Sequence, residues 1–255
     1  MGKIICFSNQ KGGVGKTTTA INMAAYVAMA GKHVLLVDFD PQGNATSGFG
    51  IEKNKLEYTS FDVLMGECPA EQAVCETVVA NLSIMPCNID LAAAEVDLVN
   101  LPARESAMKR ALTSIKDSFD YIFVDCPPSL GLLTLNALVA SDEVIIPIQS
   151  EFFALEGLSQ LMNTIKIVKQ RLNSHLKLNG VILTMYDVRT TMSKQVTQEI
   201  CKYFGDIIYT MPVPRNIKLV ESPSFGVPIA LHAPHCSGAE AYENLAKQFL
   251  EREEK

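Results

Sequence analysis

The residues Gln10-Lys11-Gly12-Gly13-Val14-Gly15-Lys16-Thr17-Thr18 follow an apolar run over 3–8 and open a helical pattern. Glycines placed between a strand and a helix let consecutive backbone N–H groups turn inward on an anion. The helix N-terminus behind them adds about half a positive charge. In that setting Lys16 reaches the β- and γ-phosphates of a nucleotide, and the Thr17 hydroxyl binds Mg²⁺. A glycine-rich turn that binds nothing has no use for the Gly-Lys-Thr triplet. The loop therefore demands a strand–loop–helix unit and points to a nucleotide.

The rest of the chain supplies the sheet such a unit needs. Apolar runs recur at 3–8, 34–38, 82–86, 121–125, 143–147 and 178–184, and helix-compatible segments lie at 16–30, 91–98, 102–117, 131–140, 154–172, 190–204 and 237–252. Runs that are apolar on both faces are what parallel strands covered by helices look like. Their alternation with helices predicts an α/β fold, a doubly wound, mostly parallel sheet with helices on both faces. No linker, repeat or low-complexity stretch interrupts the pattern, so 1–255 reads as one P-loop domain.

A dinucleotide fold is the rival for such a loop, because Gly13-Val14-Gly15 followed by Asp38 imitates its fingerprint. The third glycine of that fingerprint would fall on Thr18, however, and Lys16 and Thr17 would have no role. A further carboxylate, Asp125, ends a later strand, where a phosphate–Mg²⁺ site wants one and a nicotinamide site does not. Asp38, Asp40 and Asp125 all follow apolar strands. Acids at strand carboxyl ends sit in the crevice where α/β sheets bind ligands, and three around one nucleotide divide into metal-holding and water-positioning roles.

Composition sets the surroundings. A chain of 255 residues, 48% hydrophobic and 20% charged, buries roughly 70–75% of its unfolded surface and needs no disulfide or structural metal to fold. Its seven cysteines are odd in number and contain no C-x-x-C pair. That pattern argues against a secreted disulfide scaffold, a zinc ribbon and a local iron–sulfur motif, and a reducing cytoplasm is the expected home. The start MGKIICFSNQKGG lacks a signal-peptide pattern, and Cys6 stands where myristoylation requires Ser or Thr. No apolar run approaches the roughly 20 residues that span a bilayer, so a soluble protein is expected. The four histidines show no metal spacing and read as structural.

The net charge of −6 conceals an asymmetry. Between 160 and 220 nine basic side chains (Lys166, Lys169, Arg171, Lys177, Arg189, Lys194, Lys202, Arg215 and Lys218) face three acids, so this stretch carries +6 and the remainder −12. One part of an acidic molecule is thus suited to an anion.

The loop departs from the usual G-x-x-x-x-G-K-[ST] pattern, whose first glycine would fall on Gln10, and carries a lysine at Lys11. Here the chain resembles the deviant Walker A P-loop proteins, most closely the ParA/Soj partition ATPases, whose K-G-G-x-G-K-T-T signature lies on 11–18 without a mismatch. The resemblance continues through DFDPQGNATSGFG (38–50), VDCPPSLG (124–131) and PRNIKLVESPSFGVPI (214–229). It implies a Mg²⁺-dependent ATP hydrolase in which ATP holds a sandwich homodimer together. Asp125 is then the acid that holds Mg²⁺ through water, Asp38 supports that shell, and Asp40 orients the attacking water; only the analogy separates Asp40 from Asp38. Lys11 reaches across the two-fold axis to the partner's phosphates, and Gly12 lets the second subunit approach. Pro214 and Asn216 lie on the loop whose backbone contacts the adenine.

The same resemblance implies that the ATP-bound dimer binds non-specific DNA on the nucleoid. A ParB-type centromere-binding partner stimulates hydrolysis and release. Arg189 and Lys218 are the leading DNA contacts. Lys194, Lys202 and Arg215 follow, with Arg215 alternatively part of the nucleotide loop. Relatives that share the loop remain as alternatives. A MinD-like membrane cycler would end in a basic amphipathic helix, whereas the tail over 238–255 has five Glu against three basic residues; no membrane partner is therefore expected. An iron–sulfur carrier would need dimer-bridging cysteines; arithmetic alone leaves Cys87 and Cys126 open for that, but the motifs that flank them do not match such a carrier. A small-molecule ligase such as dethiobiotin synthetase would keep the loop without Lys11.

Overall fold

The computed structural model describes residues 2–151, 154–187 and 189–254. Among these residues seven strands form one sheet: β1 Lys3–Phe7, β2 Val34–Asp38, β3 Cys75–Glu76, β4 Leu82–Met85, β5 Tyr121–Asp125, β6 Glu143–Gln149 and β7 Lys177–Thr184, in the order β3-β4-β2-β5-β1-β6-β7. All neighbours pair in parallel except β3, a short antiparallel edge on β4. The longer helices are α1 Lys16–Met29, α6 Leu132–Ala140, α7 Ala154–Arg171, α8 Thr191–Phe204 and α11 Ser237–Glu253. Short ones fill the connections: α2 Asn44–Gly48, α3 Ser60–Met65, α4 Ala94–Asp97, α5 Ala107–Leu112, α9 Ile217–Glu221 and α10 Ile229–His232.

The strand pleat divides the core into two layers. Ile4 and Cys6 of β1 face a cluster that includes Leu112, Leu133, Leu161 and Ile200, whereas Ile5 and Phe7 face one that includes Ala24, Leu245 and Phe249. Alternate residues of one strand thus serve opposite helix layers, as a doubly wound sheet requires. In the second layer Phe7, Phe123 and Phe249 meet edge to face, with centroids 5.4 and 5.5 Å apart. Ala20, Ala24, Ala25 and Ala28 are buried on α1, and their small side chains let that helix lie close to the sheet. Among the described residues no helix is long and apolar enough to cross a membrane.

The central strands begin and end within two residues of the expected runs. The helix expected over 102–117 is shorter. Ala103 takes a left-handed φ of +51°, and regular α-helix covers only Ala107–Leu112, flanked by 3₁₀ turns. The helical spacing of Met108, Leu112 and Ile115 reflects burial, which 3₁₀ turns satisfy as well. Helices α2, α3, α9 and α10 and strand β3 are additions that the periodicity did not reveal.

Candidate nucleotide-binding site

Register brings the acids together. Asp38 at the end of β2 pairs with Asp125 at the end of β5, and Asp125 pairs with Phe7, the last residue of β1. The chain leaves β1 toward β2 on one flank, while β6 lies on the other. The loop after Phe7 therefore emerges at the reversal of strand order, where open α/β sheets take ligands.

The loop is anchored residue by residue. Ser8 N–H donates to Ile145 O at 3.1 Å. The Asn9 side-chain amide donates to Pro147 O at 2.8 Å, and its Oδ1 accepts from Lys11 N–H at 3.0 Å. Gly13 and Gly15 hold φ of +74° and +82°, values that L side chains adopt only with strain. Gly12 is exposed, its nearest neighbour for an added Cβ being Pro128 at 3.9 Å. Val14 is buried, and its carbonyl accepts from the Thr184 hydroxyl at 2.7 Å, tying the loop to the end of β7. Thr17 and Thr18 stand in the first turn of α1, half-buried.

Lys16 folds back over this cradle, with Nζ 3.2 Å from Lys11 O. Burial lowers its pKa, and the charges of Asp125 and Asp40 act in the opposite direction. Both Asp125 oxygens are fully buried with no hydrogen-bond partner among the described residues. Burial first, then the charge of Asp38, raise the pKa of Asp125 well above the usual carboxylate range; the nearby Thr17 hydroxyl and Lys16 pull it down. Asp38 is pushed up to about 6 by burial, against the hydrogen bonds it accepts from Thr46. An unpartnered buried carboxylate costs free energy unless something completes it. Among the described residues no three His, Cys, Asp or Glu are grouped to hold a metal unaided. One hydroxyl and one such carboxylate suit Mg²⁺, which keeps waters and takes phosphate oxygens as its other ligands. Asp40 is buried beside them, its Oδ1 accepting from Gln42 N–H at 3.0 Å.

Next to Gly15 and Thr18 opens a cavity of about 600 Å³ walled by Met185, Val213, Pro214, Asn216 and Tyr242. Its size and largely apolar walls suit a planar base. Pro214 and Asn216 both line this cavity.

Two expectations meet paired charges. Lys11 Nζ lies 2.8 Å from Glu151 Oε2 of the same chain. Arg189 makes a two-pronged pair with Asp187, at 2.9 and 2.8 Å, while Lys218 pairs with Glu221 at 2.8 Å. Arg189 holds the Asp187 carboxyl well below its ordinary pKa. Arg189 and Lys218 are both exposed, on the segments that follow β7. Arg215 lies 3.8 Å from Glu151 and lines both the cavity of about 600 Å³ and a neighbouring one of about 430 Å³ that Arg189 also borders. Cys87 and Cys126 are fully buried, which gives neither a route to bridge two subunits in this arrangement.

Sequence reasoning missed Asn9, Thr46, Thr184 and Glu151. Asn9 had a local signal, an Asx turn just past a strand. Thr46 lies inside the 38–50 block, and Glu151 stands two residues after β6 with nothing local to mark it.

A profile of the family described as "AAA domain" matches residues 2–178. The chain is 54% identical to the sporulation initiation inhibitor protein Soj of Bacillus subtilis (strain 168), over 97% of this chain and 98% of that one. It is 49% identical to the chromosome-partitioning ATPase Soj of Treponema pallidum (strain Nichols), over 99% of each. Among solved structures it resembles a cobyrinic acid a,c-diamide synthase from Mycobacterium smegmatis with bound ADP and magnesium, at a TM-score of 0.88 and 38% identity, covering 100% of this chain and 96% of that one. With the loop, the acids and an adjoining cavity assembled at one end of the sheet, and with identity of this extent, the chain belongs to the Soj/ParA family of chromosome-partitioning ATPases.

Proposed function

We propose that this chain is an ATP- and Mg²⁺-dependent switch that moves or positions chromosomal or plasmid DNA. One observation carries the nucleotide chemistry: the fully buried Asp125 carboxylate, which no described residue satisfies at full hydrogen-bond geometry, close to Lys16 and Thr17 at the mouth of the glycine loop. The backbone N–H groups of residues 12–18 cradle the phosphates, and Lys16 neutralises the β- and γ-oxygens. Thr17 and Asp125, the latter through water, would hold Mg²⁺, with Asp38 behind them. The metal supplies charge neutralisation on the transferring phosphoryl group. Asp40 orients the attacking water. Lys11 leaves Glu151 and acts on the phosphates of a second copy, much as an arginine finger acts.

ATP thus joins two chains across the exposed Gly12, and hydrolysis lets them part. Dimerisation doubles the basic side chains on one face, with Arg189 and Lys218 foremost, and the dimer then holds DNA through its phosphates without reading sequence. A ParB-type centromere-binding partner stimulates hydrolysis and so releases the DNA. The protein works in the cytoplasm on the nucleoid. The acidic face of α11, with Glu240, Glu243 and Glu251 exposed, is unsuited to an anionic bilayer. We read 1–255 as one domain.

Binding to random-sequence DNA with ATP and with ADP, alongside light scattering, tests the reading. ATP should produce both a dimer and DNA retention, and ADP neither. A dimer that ignores DNA at low salt would separate this chain from its DNA-moving relatives.

A further inference from the structure

Thr46 of α2 is fully buried, and no step of the nucleotide chemistry calls on it. Its backbone N–H and its hydroxyl both lie 2.7 Å from Oδ2 of Asp38. The same hydroxyl oxygen lies 2.8 Å from the backbone nitrogen of Cys87, just past β4. A backbone N–H only donates, so the Thr46 oxygen is the acceptor there, and its single proton is left for Asp38. The direction of the relay is thereby settled: Cys87 N–H to Thr46 hydroxyl to Asp38. Oδ2 is occupied by two short donors, whereas Oδ1 has one long contact, 3.4 Å from Asp40 N–H. Oδ1 is the Asp38 oxygen with acceptor capacity to spare.

The turn that carries Thr46 has no room to drift. Gly43 holds φ of +59°, and a Cβ there would come within 2.8 Å of Cys87 O. Residues 43–46 are pressed against the end of β4, and the Cys87 thiol lies 3.3 Å from Asp40 O. The end of β4 therefore braces both Asp38 and Asp40 from behind.

We propose that Thr46 is a positioning residue: its hydroxyl, fixed by Cys87 N–H, sets the plane of the Asp38 carboxylate and leaves Oδ1 for the Mg²⁺-bearing nucleotide. The inference rests on the assignment of Asp38 to the Mg²⁺ shell. A purely packing role would be met equally well by valine, which has the same shape and no proton to give.

The test measures affinity for a non-hydrolysable ATP analogue by calorimetry, in EDTA and across a Mg²⁺ titration, for the parent, Thr46→Val, Thr46→Ser and Asp38→Asn. In EDTA Thr46→Val and Thr46→Ser should bind like the parent. Loss of a hydrogen bond to a charged group should raise the Mg²⁺ midpoint about tenfold in Thr46→Val, and Thr46→Ser should restore it to within about twofold. Asp38→Asn should raise the midpoint at least as far, and adding Thr46→Val to it should do little more, because the two act through one group. A parental midpoint in Thr46→Val, with Asp38→Asn still shifted, overturns the role of Thr46 alone. An unshifted Asp38→Asn overturns the underlying assignment of Asp38. A serine variant that behaves like valine also overturns the proposal, since the methyl group would then be what matters. If Thr46→Val does not fold, Thr46→Ala, which leaves space for water at Cys87 N–H, is judged by the same midpoints.

Discussion

Lys11 and Glu151 form an ion pair at 2.8 Å within one chain, 140 residues apart in sequence. The lysine expected to serve a second subunit is thus held by a carboxylate of its own, and the pair must break before the lysine crosses. Both partners are a third to a half exposed, where such a pair is worth about 0.2–1 kcal/mol. Glu151→Gln should therefore lower the ATP concentration needed for dimerisation by up to about fivefold. Light scattering in a hydrolysis-blocked background reads this directly. An unchanged or higher midpoint would mean that the pair does not restrain the lysine.

The two loop lysines should separate cleanly. Lys16→Ala removes the charge that lies over the phosphate cradle, so nucleotide affinity should fall by about a hundredfold. Lys11→Ala should leave the affinity of the monomer for nucleotide within a few-fold of the parent while abolishing the dimer. Fluorescent-nucleotide titration below the dimerisation threshold distinguishes them, and equal losses would contradict the division between cis and trans roles.

Asp40→Ala should slow hydrolysis by about a hundredfold or more without emptying the site, because Lys16, Thr17 and Asp125 are untouched. An ATP-bound dimer should accumulate on size exclusion. Hydrolysis at the parental rate would move the water-positioning role to Asp38.

Asp38 and Asp125 bind protons more tightly in the folded chain than in the unfolded one, since burial raises both pKa values. With more protons bound when folded, stability falls as pH rises. For Asp38 the loss runs from the unfolded value near 4 up through about 6. The nucleotide-free Tm should accordingly drop as pH rises from about 4 to about 6, with Asp125 adding to the loss in the same direction, and the drop should be smaller in Asp125→Asn. Calorimetric scans with EDTA check it, and a parallel pH dependence in the two proteins would count against the buried charge as its source.

Arg189→Ala and Lys218→Ala should each weaken DNA binding and flatten the salt dependence, by about 0.9 in log–log slope for every phosphate that the variant no longer neutralises. The ATP-dependent dimer should survive both. Each residue is also paired with an acid, Asp187 or Glu221. Asp187→Asn should therefore strengthen binding where Arg189→Ala weakens it. Filter binding across a salt series gives both slopes.

Much of the frame was legible because strands buried on both faces have to be apolar throughout. The runs at 34–38 and 121–125 match β2 and β5 residue for residue. The loop was legible because phosphate binding dictates residue types at close spacing. The short helices α2, α3, α9 and α10 were not, since four to six residues are too few to express a helical period. Helix α3 did carry a signal, the Thr59–Asp62 capping box, which periodicity alone does not register. The contacts that set the site, Thr46 on Asp38 and Glu151 on Lys11, join distant or strand-end residues and depend on topology, which no local pattern encodes.

The in-register carboxylates of Asp38 and Asp125 have a consequence for the lifetime of the protein in the cell. A sheet that carries two buried acids side by side is at its weakest when neither nucleotide nor cation is bound. A ligand at a hundred times its Kd adds about 2.7 kcal/mol to the folded state by mass action. Proteases that act on opened chains sample the unliganded form far more often. The form with neither ATP nor ADP in the site is therefore the one in which the folded chain is most open to proteolysis, and either nucleotide shields it in proportion to how tightly it is held.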